Sequence, residues 1–273
     1  KTAEAERIAQ DAAKTTINEL FDHWLTNELS RRKDNGSEAA RMIRKDVLPV
    51  IGQLPIEQVK KAHISKINTI VKARGLRIAN VVFSLMRQMF SYAVELDYIE
   101  HNPTAGIKKS KVGTSGIERD RVLADKEIRE LFLKLPKAGM VEVNTLTIPL
   151  VLSTCCRIGE LLKARWADIN LSERVWIIPA ENSKNGKHHK IYLSDFSLKH
   201  FEKLYAITGD GEWCYPASRK EGHINEKTIT KQIRDRQRSG EPLSSRTSRT
   251  EALILTSASN EAWKPHDLRR TGA

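Results

Sequence analysis

Ser153-Thr154-Cys155-Cys156-Arg157-Ile158-Gly159-Glu160-Leu161-Leu162-Lys163-Ala164-Arg165-Trp166 closes an apolar helical run that begins at Thr147. Arg157 stands at the end of that run, where an ordinary surface arginine is out of place. A guanidinium among small apolar neighbours requires an anionic partner, because an unpaired buried charge is costly. Glu160, three residues on, is one such partner, and a substrate phosphate is another. Both can hold, since a carboxylate can orient an arginine that still presents N–H groups outward.

The second informative stretch is Lys264-Pro265-His266-Asp267-Leu268-Arg269-Arg270-Thr271-Gly272-Ala273. Pro265 suits the first turn of a helix, and His266 and Arg269, three apart, then share one face. Between the two stretches, Val175-Trp-Ile-Ile and Lys190-Ile-Tyr-Leu are β-type runs separated by polar residues that include Asn185-Gly186. They predict a β-hairpin with Lys184 beside its turn. His188 and His189 are adjacent, so as strand neighbours they point to opposite faces, and they read as solvated hairpin residues rather than metal ligands.

Upstream, apolar residues recur at helical spacing from Thr16 to Leu29, with Thr15 or Thr16 as N-cap. A second helix is predicted from Ser37, as N-cap, to about Leu48, with a basic face of Arg41, Arg44 and Lys45. Residues 47–55, with two prolines and a glycine, read as a connector. Ile64 to Val71 and Ile78 to Tyr98 are two further helices, interrupted at Gly75. These elements make residues 14–100 a compact helical domain. Residues 101–118, with glycines and Lys108, Lys109 and Lys111, read as a linker; residues 1–13 read as a leader helix or tail. A second domain over 119–273 opens with a helix capped by Asp125. Residues 237–260, rich in Ser, Thr, Arg and Gly, read as an exposed loop or mobile insertion. The fold class is mainly α with a small β-hairpin, an α+β arrangement.

The whole chain has 273 residues, 40% hydrophobic and 29% charged, with a net charge of +12. That is long enough for two cores without staples, and basic enough to suggest nucleic acid as a partner. Membrane surfaces would attract the same charge, but no apolar run reaches the ~18 residues that span a bilayer. Three cysteines, two of them adjacent and none in a CxxC pair, argue against a disulfide framework or a zinc site and fit a reducing cytoplasm. No phosphate loop, GxGxxG, HExxH or GxSxG motif is present, which removes the usual support for nucleotide hydrolysis, dehydrogenation, zinc proteolysis and α/β-hydrolase chemistry.

Taken together, Arg157-Ile-Gly-Glu-Leu, a hairpin lysine and Pro265-His-Asp-Leu-Arg-Arg-Thr resemble the tyrosine recombinase family, and within it the integrases of prophages and genomic islands. The resemblance covers nearly the whole chain. It implies a helical core-DNA-binding domain over 14–100 and a mixed α/β catalytic domain over 119–273, closing on duplex DNA as a clamp. It also implies site-specific integration and excision through a 3′-phosphotyrosyl intermediate. Arg157 and Arg269 would bind the scissile phosphate, Lys184 would protonate the leaving 5′ oxygen, His266 would assist proton transfer, and Glu160 would support. Lys187 competes with Lys184 for the lysine role; Glu-Asn-Ser-Lys before the turn favours Lys184. No cofactor or metal is required. Arg41, Arg44, Lys45, Lys108, Lys109 and Lys111 are candidate contacts to DNA. The expected partners are attachment-site DNA, further copies of the chain as a tetramer on that DNA, and accessory DNA-bending proteins, on a bacterial chromosome in the cytoplasm.

The family's nucleophilic tyrosine lies downstream of His-x-x-Arg, whereas Tyr92, Tyr98, Tyr192, Tyr205 and Tyr215 all precede His266. The catalytic domain therefore reads as C-terminally incomplete, through a missing tail rather than a natural remnant, and unable to cleave alone. A non-catalytic DNA-binding remnant or regulator, and a type IB topoisomerase-like enzyme, are the alternatives.

Overall fold

The computed structural model describes residues 15–114, 116, 119–219, 221–239, 251–259 and 261–273. The chain divides into two units, residues 1–118 and 119–273, each with its own apolar core. The leader expected over 1–13 lies outside the described residues.

The first unit consists of α1 (Ile17–Asn27), α2 (Ser37–Asp46), the single turn α3 (Leu48–Ile51), α4 (Lys61–Lys72), α5 (Leu76–Glu95) and the short α6 (Lys109–Val112). Thr16 caps α1 through a reciprocal box: Glu19 N donates to Thr16 Oγ1 (3.3 Å), and Thr16 N donates to Glu19 Oε2 (2.7 Å). At α2 the cap differs from expectation. Ser37 is already helical, and the preceding residue is Gly36 in the left-handed region (φ 70°). Asp34 does the capping instead, its carboxylate accepting from Gly36 N (3.1 Å) and Glu38 N (3.2 Å). A Cβ at Gly36 would sit 2.5 Å from Leu29 Cβ, so Gly36→Ala combines strain with a clash. It is expected to cost about 1–3 kcal/mol, read as a fall in the thermal midpoint.

The apolar stripes of α1, α4 and α5 meet in a core that includes Phe21, Trp24, Ile64, Ile67, Phe83, Met86, Met89 and Phe90, all at most 3% exposed. Buried Asp46 accepts two bonds from Arg74 (2.5 and 2.9 Å), tying the end of α2 to the end of α4. The stretch read as a linker packs on this unit at least as far as Val112, which is 2% exposed in its core; Thr104 is buried beside Asn102.

The second unit contains α7 (Asp125–Lys134), α8 (Glu142–Thr145), α9 (Thr147–Thr154), α10 (Ile158–Leu162), β1 (Ile169–Asn170), β2 (Val175–Ile178), β3 (His189–Tyr192), α11 (Asp195–Thr208), α12 (Glu226–Asp235) and α13 (Pro265–Gly272). The strands form one antiparallel sheet in the order β1-β2-β3, with Trp176 opposite Ile191 and Ile177 opposite Lys190. Alternation puts Trp176, Ile178 and Ile191 in the core. The β2–β3 connection is wider than a two-residue turn: residues 179–188 bulge out, with Ser183 N bonded to Pro179 O (3.1 Å) and Gly186 at φ 64°.

The predicted helix over 147–163 is broken. Cys155 adopts the left-handed conformation (φ 51°) and ends α9, its N–H still reaching Val151 O (3.1 Å). Pro149 is harmless because it lies in the first turn of α9, where the N–H has no helical partner. The expectation of a mobile loop over 237–260 is corrected for the residues described. Leu253 and Leu255 are at most 2% exposed in the core, and Trp263 Nε1 donates to Leu253 O (3.0 Å). An apolar Leu-Ile-Leu inside a polar stretch was the sign of an anchored segment; residues 240–250 lie outside the described ones. No helix among the described residues is long and apolar enough to cross a membrane.

Candidate phosphate-binding site

The break at Cys155 decides the position of Arg157. Backbone that leaves the left-handed turn becomes extended at Arg157 (φ −75°, ψ 141°), which therefore caps α10 rather than extending α9. Glu160, on the first turn of α10 and only 6% exposed, turns back and accepts from Arg157 N (2.8 Å) and Arg157 Nη1 (2.7 Å). Its second oxygen lies 4.0 Å from Arg269 Nη1 on α13. One buried carboxylate thus holds the Arg157 guanidinium by a hydrogen bond and lies within ion-pair distance of the Arg269 guanidinium, 112 residues on in sequence. Their side chains remain 36% and 29% exposed, leaving N–H groups for another anion.

Arg157 and Arg269 line a recess of about 260 Å³ together with Lys184, His266, Lys163, Asn182 and Glu226. Four of the sequence candidates, with Glu160, are therefore brought to one place. Lys187 lines a second recess, which shares Arg157, Glu160 and Arg269 with the first and adds Cys155, His188 and His189. The two histidines line that recess jointly, contrary to the expectation of opposite faces, because His188 precedes β3 and belongs to the bulging loop. Among the described residues, no group of three or more His, Cys, Asp or Glu is placed to hold a metal ion.

Burial and the nearby Arg270, Arg269 and Arg157 push the His266 pKa below its usual value, so the imidazole is neutral at pH 7 and free to exchange a proton. Burial pushes the Cys156 thiol up to about 12, which keeps this neighbour of Arg157 from acting as a nucleophile.

A further ionic lattice holds α13. Asp267 is fully buried and accepts from Arg119 Nε (3.1 and 3.2 Å), Lys264 N (2.8 Å) and Arg270 Nη1 (3.4 Å). Arg119 also donates to Ala262 O, and Arg121 pairs with buried Glu127 (2.7 Å). Leu123 N reaches Thr271 Oγ1 (2.9 Å). Residues 119–127 therefore lace the segment that presents His266 and Arg269.

The model of the phage integrase family matches residues 121–273, and that of the phage integrase central domain matches residues 17–110. The chain belongs to the phage integrase family. Among relatives, the prophage integrase IntA of Escherichia coli strain K12 is 25% identical over 229 residues, 83% of this chain and 55% of that protein. The integrase of Enterobacteria phage P4 is 24% identical over 252 residues, 86% of this chain and 56% of that one. The chain thus spans just over half the length of these phage integrase relatives. A lambda integrase dimer bound to a COC′ core site matches with a TM-score of 0.71 at 20% identity, covering 100% of this chain and 72% of that chain. The Tn1549 transposon integrase in complex with circular intermediate DNA matches with 0.66 at 15%, covering 95% and 86%. The mainly α fold with its small antiparallel sheet is the integrase fold.

Sequence reasoning missed Lys163, Asn182 and Glu226 as lining residues. Lys163 was within reach, being three residues after Glu160 and six after Arg157. Glu226 carries no local signal, since only the packing of α12 against α10 brings it in. The candidates Arg41, Arg44, Lys45, Lys108, Lys109 and Lys111 are all exposed on the first unit. Arg41 is paired with Glu38 (2.6 Å), and Arg44 lies over the Phe21 ring at 5.3 Å.

Proposed function

We propose that the protein is a site-specific tyrosine recombinase that integrates and excises a prophage or genomic island, and that residues 1–273 supply its DNA contacts and phosphate-binding residues. The carrying observation is that Arg157, hydrogen-bonded to buried Glu160, and Arg269, 4.0 Å from the same carboxylate, line one recess with Lys184 and His266. Phosphoryl transfer builds negative charge on the nonbridging oxygens, and preoriented guanidinium donors stabilise it where they are needed. On this reading the arginines hold the scissile phosphate and Lys184 delivers a proton to the departing 5′ oxygen. His266, neutral at pH 7, moves the proton associated with the attacking hydroxyl. A tyrosine oxygen replaces the 5′ oxygen on phosphorus, giving a 3′-phosphotyrosyl bond and a free 5′ hydroxyl; a 5′ hydroxyl of the exchanged strand reverses the step.

None of the five tyrosines lines the recess, and Tyr215 is buried in the core. Residues 1–273 alone are therefore proposed to bind DNA without forming the adduct. Partners on this reading are attachment-site duplexes, further copies of the chain assembled as a tetramer on DNA, and accessory bending proteins. The relatives crystallised on DNA and the net charge of +12 support the DNA partner.

Binding to duplex DNA is expected to weaken steeply with salt, log affinity falling by about 0.9 per neutralised phosphate per log unit. Titration at several salt concentrations reads the slope; a flat response contradicts phosphate contacts. The activity itself is tested by recombination between two cognate sites in the full-length protein. Product formation supports the recombinase, whereas plasmid relaxation without recombination points to a topoisomerase.

A further inference from the structure

We infer that Lys163 is a further phosphate-binding residue of this recess, held by Glu226 until DNA arrives; the inference rests on the recess being the phosphate site. Lys163 follows α10 as its C-cap, and Glu226 opens α12; their Nζ and Oε1 lie 3.4 Å apart. Both line the recess with Arg157, Lys184, His266 and Arg269. Gly159 makes room for the carboxylate: a Cβ there would fall 2.5 Å from Glu226 Oε1, so Glu226 rests directly against the α10 backbone. A half-exposed carboxylate thus sits in a recess lined by four cations, Arg157, Lys163, Lys184 and Arg269, where an incoming phosphate meets it.

The pair is built to exchange. The Lys163 and Glu226 side chains are 34% and 49% exposed, a setting in which an ion pair contributes little stability. Glu160, by contrast, is buried and engaged with both arginines, so it stays. Glu226 lies in the first turn of α12, where a carboxylate remains favourable when it turns to water. Moving Glu226 aside removes one repulsion and frees one ammonium, so phosphate takes the place that the carboxylate held.

A double-mutant cycle tests this exchange. Binding of a mixed-sequence duplex is measured by fluorescence anisotropy at several salt concentrations for the wild type, Lys163→Ala, Glu226→Gln and the double variant, with thermal unfolding of each as the check on folding. Lys163→Ala is expected to weaken binding several-fold and to lower the salt slope by about 0.9. Glu226→Gln is expected to tighten binding several-fold in the wild type and much less in the Lys163→Ala background. Equal tightening in both backgrounds, or an unchanged slope for Lys163→Ala, overturns the inference. Arg269→Ala in the same assay separates the two levels: if it lowers the slope while Lys163→Ala does not, only this inference fails. If neither lowers it, the recess is not a phosphate site.

Discussion

Arg269→Ala in the full-length protein is expected to lower DNA strand cleavage by at least about 10²–10³-fold, the cost of removing one preoriented donor from developing negative charge. Duplex binding is expected to survive, because the other proposed phosphate contacts, such as Arg41, Arg44 and Lys45, are untouched. Most of the loss belongs in the rate of the chemical step, and a several-fold part in the apparent affinity through the missing phosphate contact. Arg157→Ala is expected to behave alike, since the capping bond from its backbone N to Glu160 does not need its side chain. Arg269→Lys restores the charge without the planar fork and is expected to recover only part of the rate. Single-turnover cleavage of a supercoiled plasmid, with binding measured alongside, reads both quantities. Loss of fold in Arg157→Ala would instead show that the ion pair with Glu160 is mainly structural.

The largest stability effect is expected at Asp267. Its carboxylate is fully buried, and Arg119, Arg270 and Lys264 N all converge on it. Asp267→Ala takes from the Arg119 guanidinium, itself only 28% exposed, its buried carboxylate partner and leaves it the half-exposed Glu261 (3.1 Å) and Ala262 O, which places the cost at the low end of the range for a broken buried pair. Breaking a buried pair from one side costs about 3–5 kcal/mol, a large share of the ~5–15 kcal/mol that holds a domain. Asp267→Asn keeps the shape and one acceptor oxygen and is expected to cost less. Urea unfolding reads the difference as a shift in midpoint at constant slope. An Ala variant as stable as the wild type would show that the lattice over residues 119–127 does not position α13.

Much of this was legible because the signals were local. Thr16 is one of the two residues that announce the α1 cap, and the β-type runs Val175-Trp-Ile-Ile and Lys190-Ile-Tyr-Leu on either side of Asn185-Gly186 give the hairpin. His266 and Arg269 share a face through helical spacing alone. Arg157 was conspicuous as a charge at the end of an apolar run, and Glu160 as its partner. What failed was set by tertiary contact or by backbone conformations that composition does not encode. The Cys155 turn breaks a stretch that reads as one helix, and Asp34 takes over the capping assigned to Ser37. Leu253 and Leu255 anchor a segment whose polar composition suggested an exposed loop. The Arg119–Asp267 tie spans 148 residues and Glu226 reaches the recess from another helix. Neither has any expression in local spacing.

The central claim is that Arg157 and Arg269 serve covalent phosphoryl transfer. The most direct measurement incubates the full-length protein with supercoiled plasmid carrying its attachment site, quenches with denaturant and looks for protein covalently joined to DNA. The account predicts a 3′-phosphotyrosyl adduct that disappears in Arg157→Ala and Arg269→Ala while DNA binding persists. Binding with no adduct in the wild type, or an adduct undiminished in both variants, would contradict it.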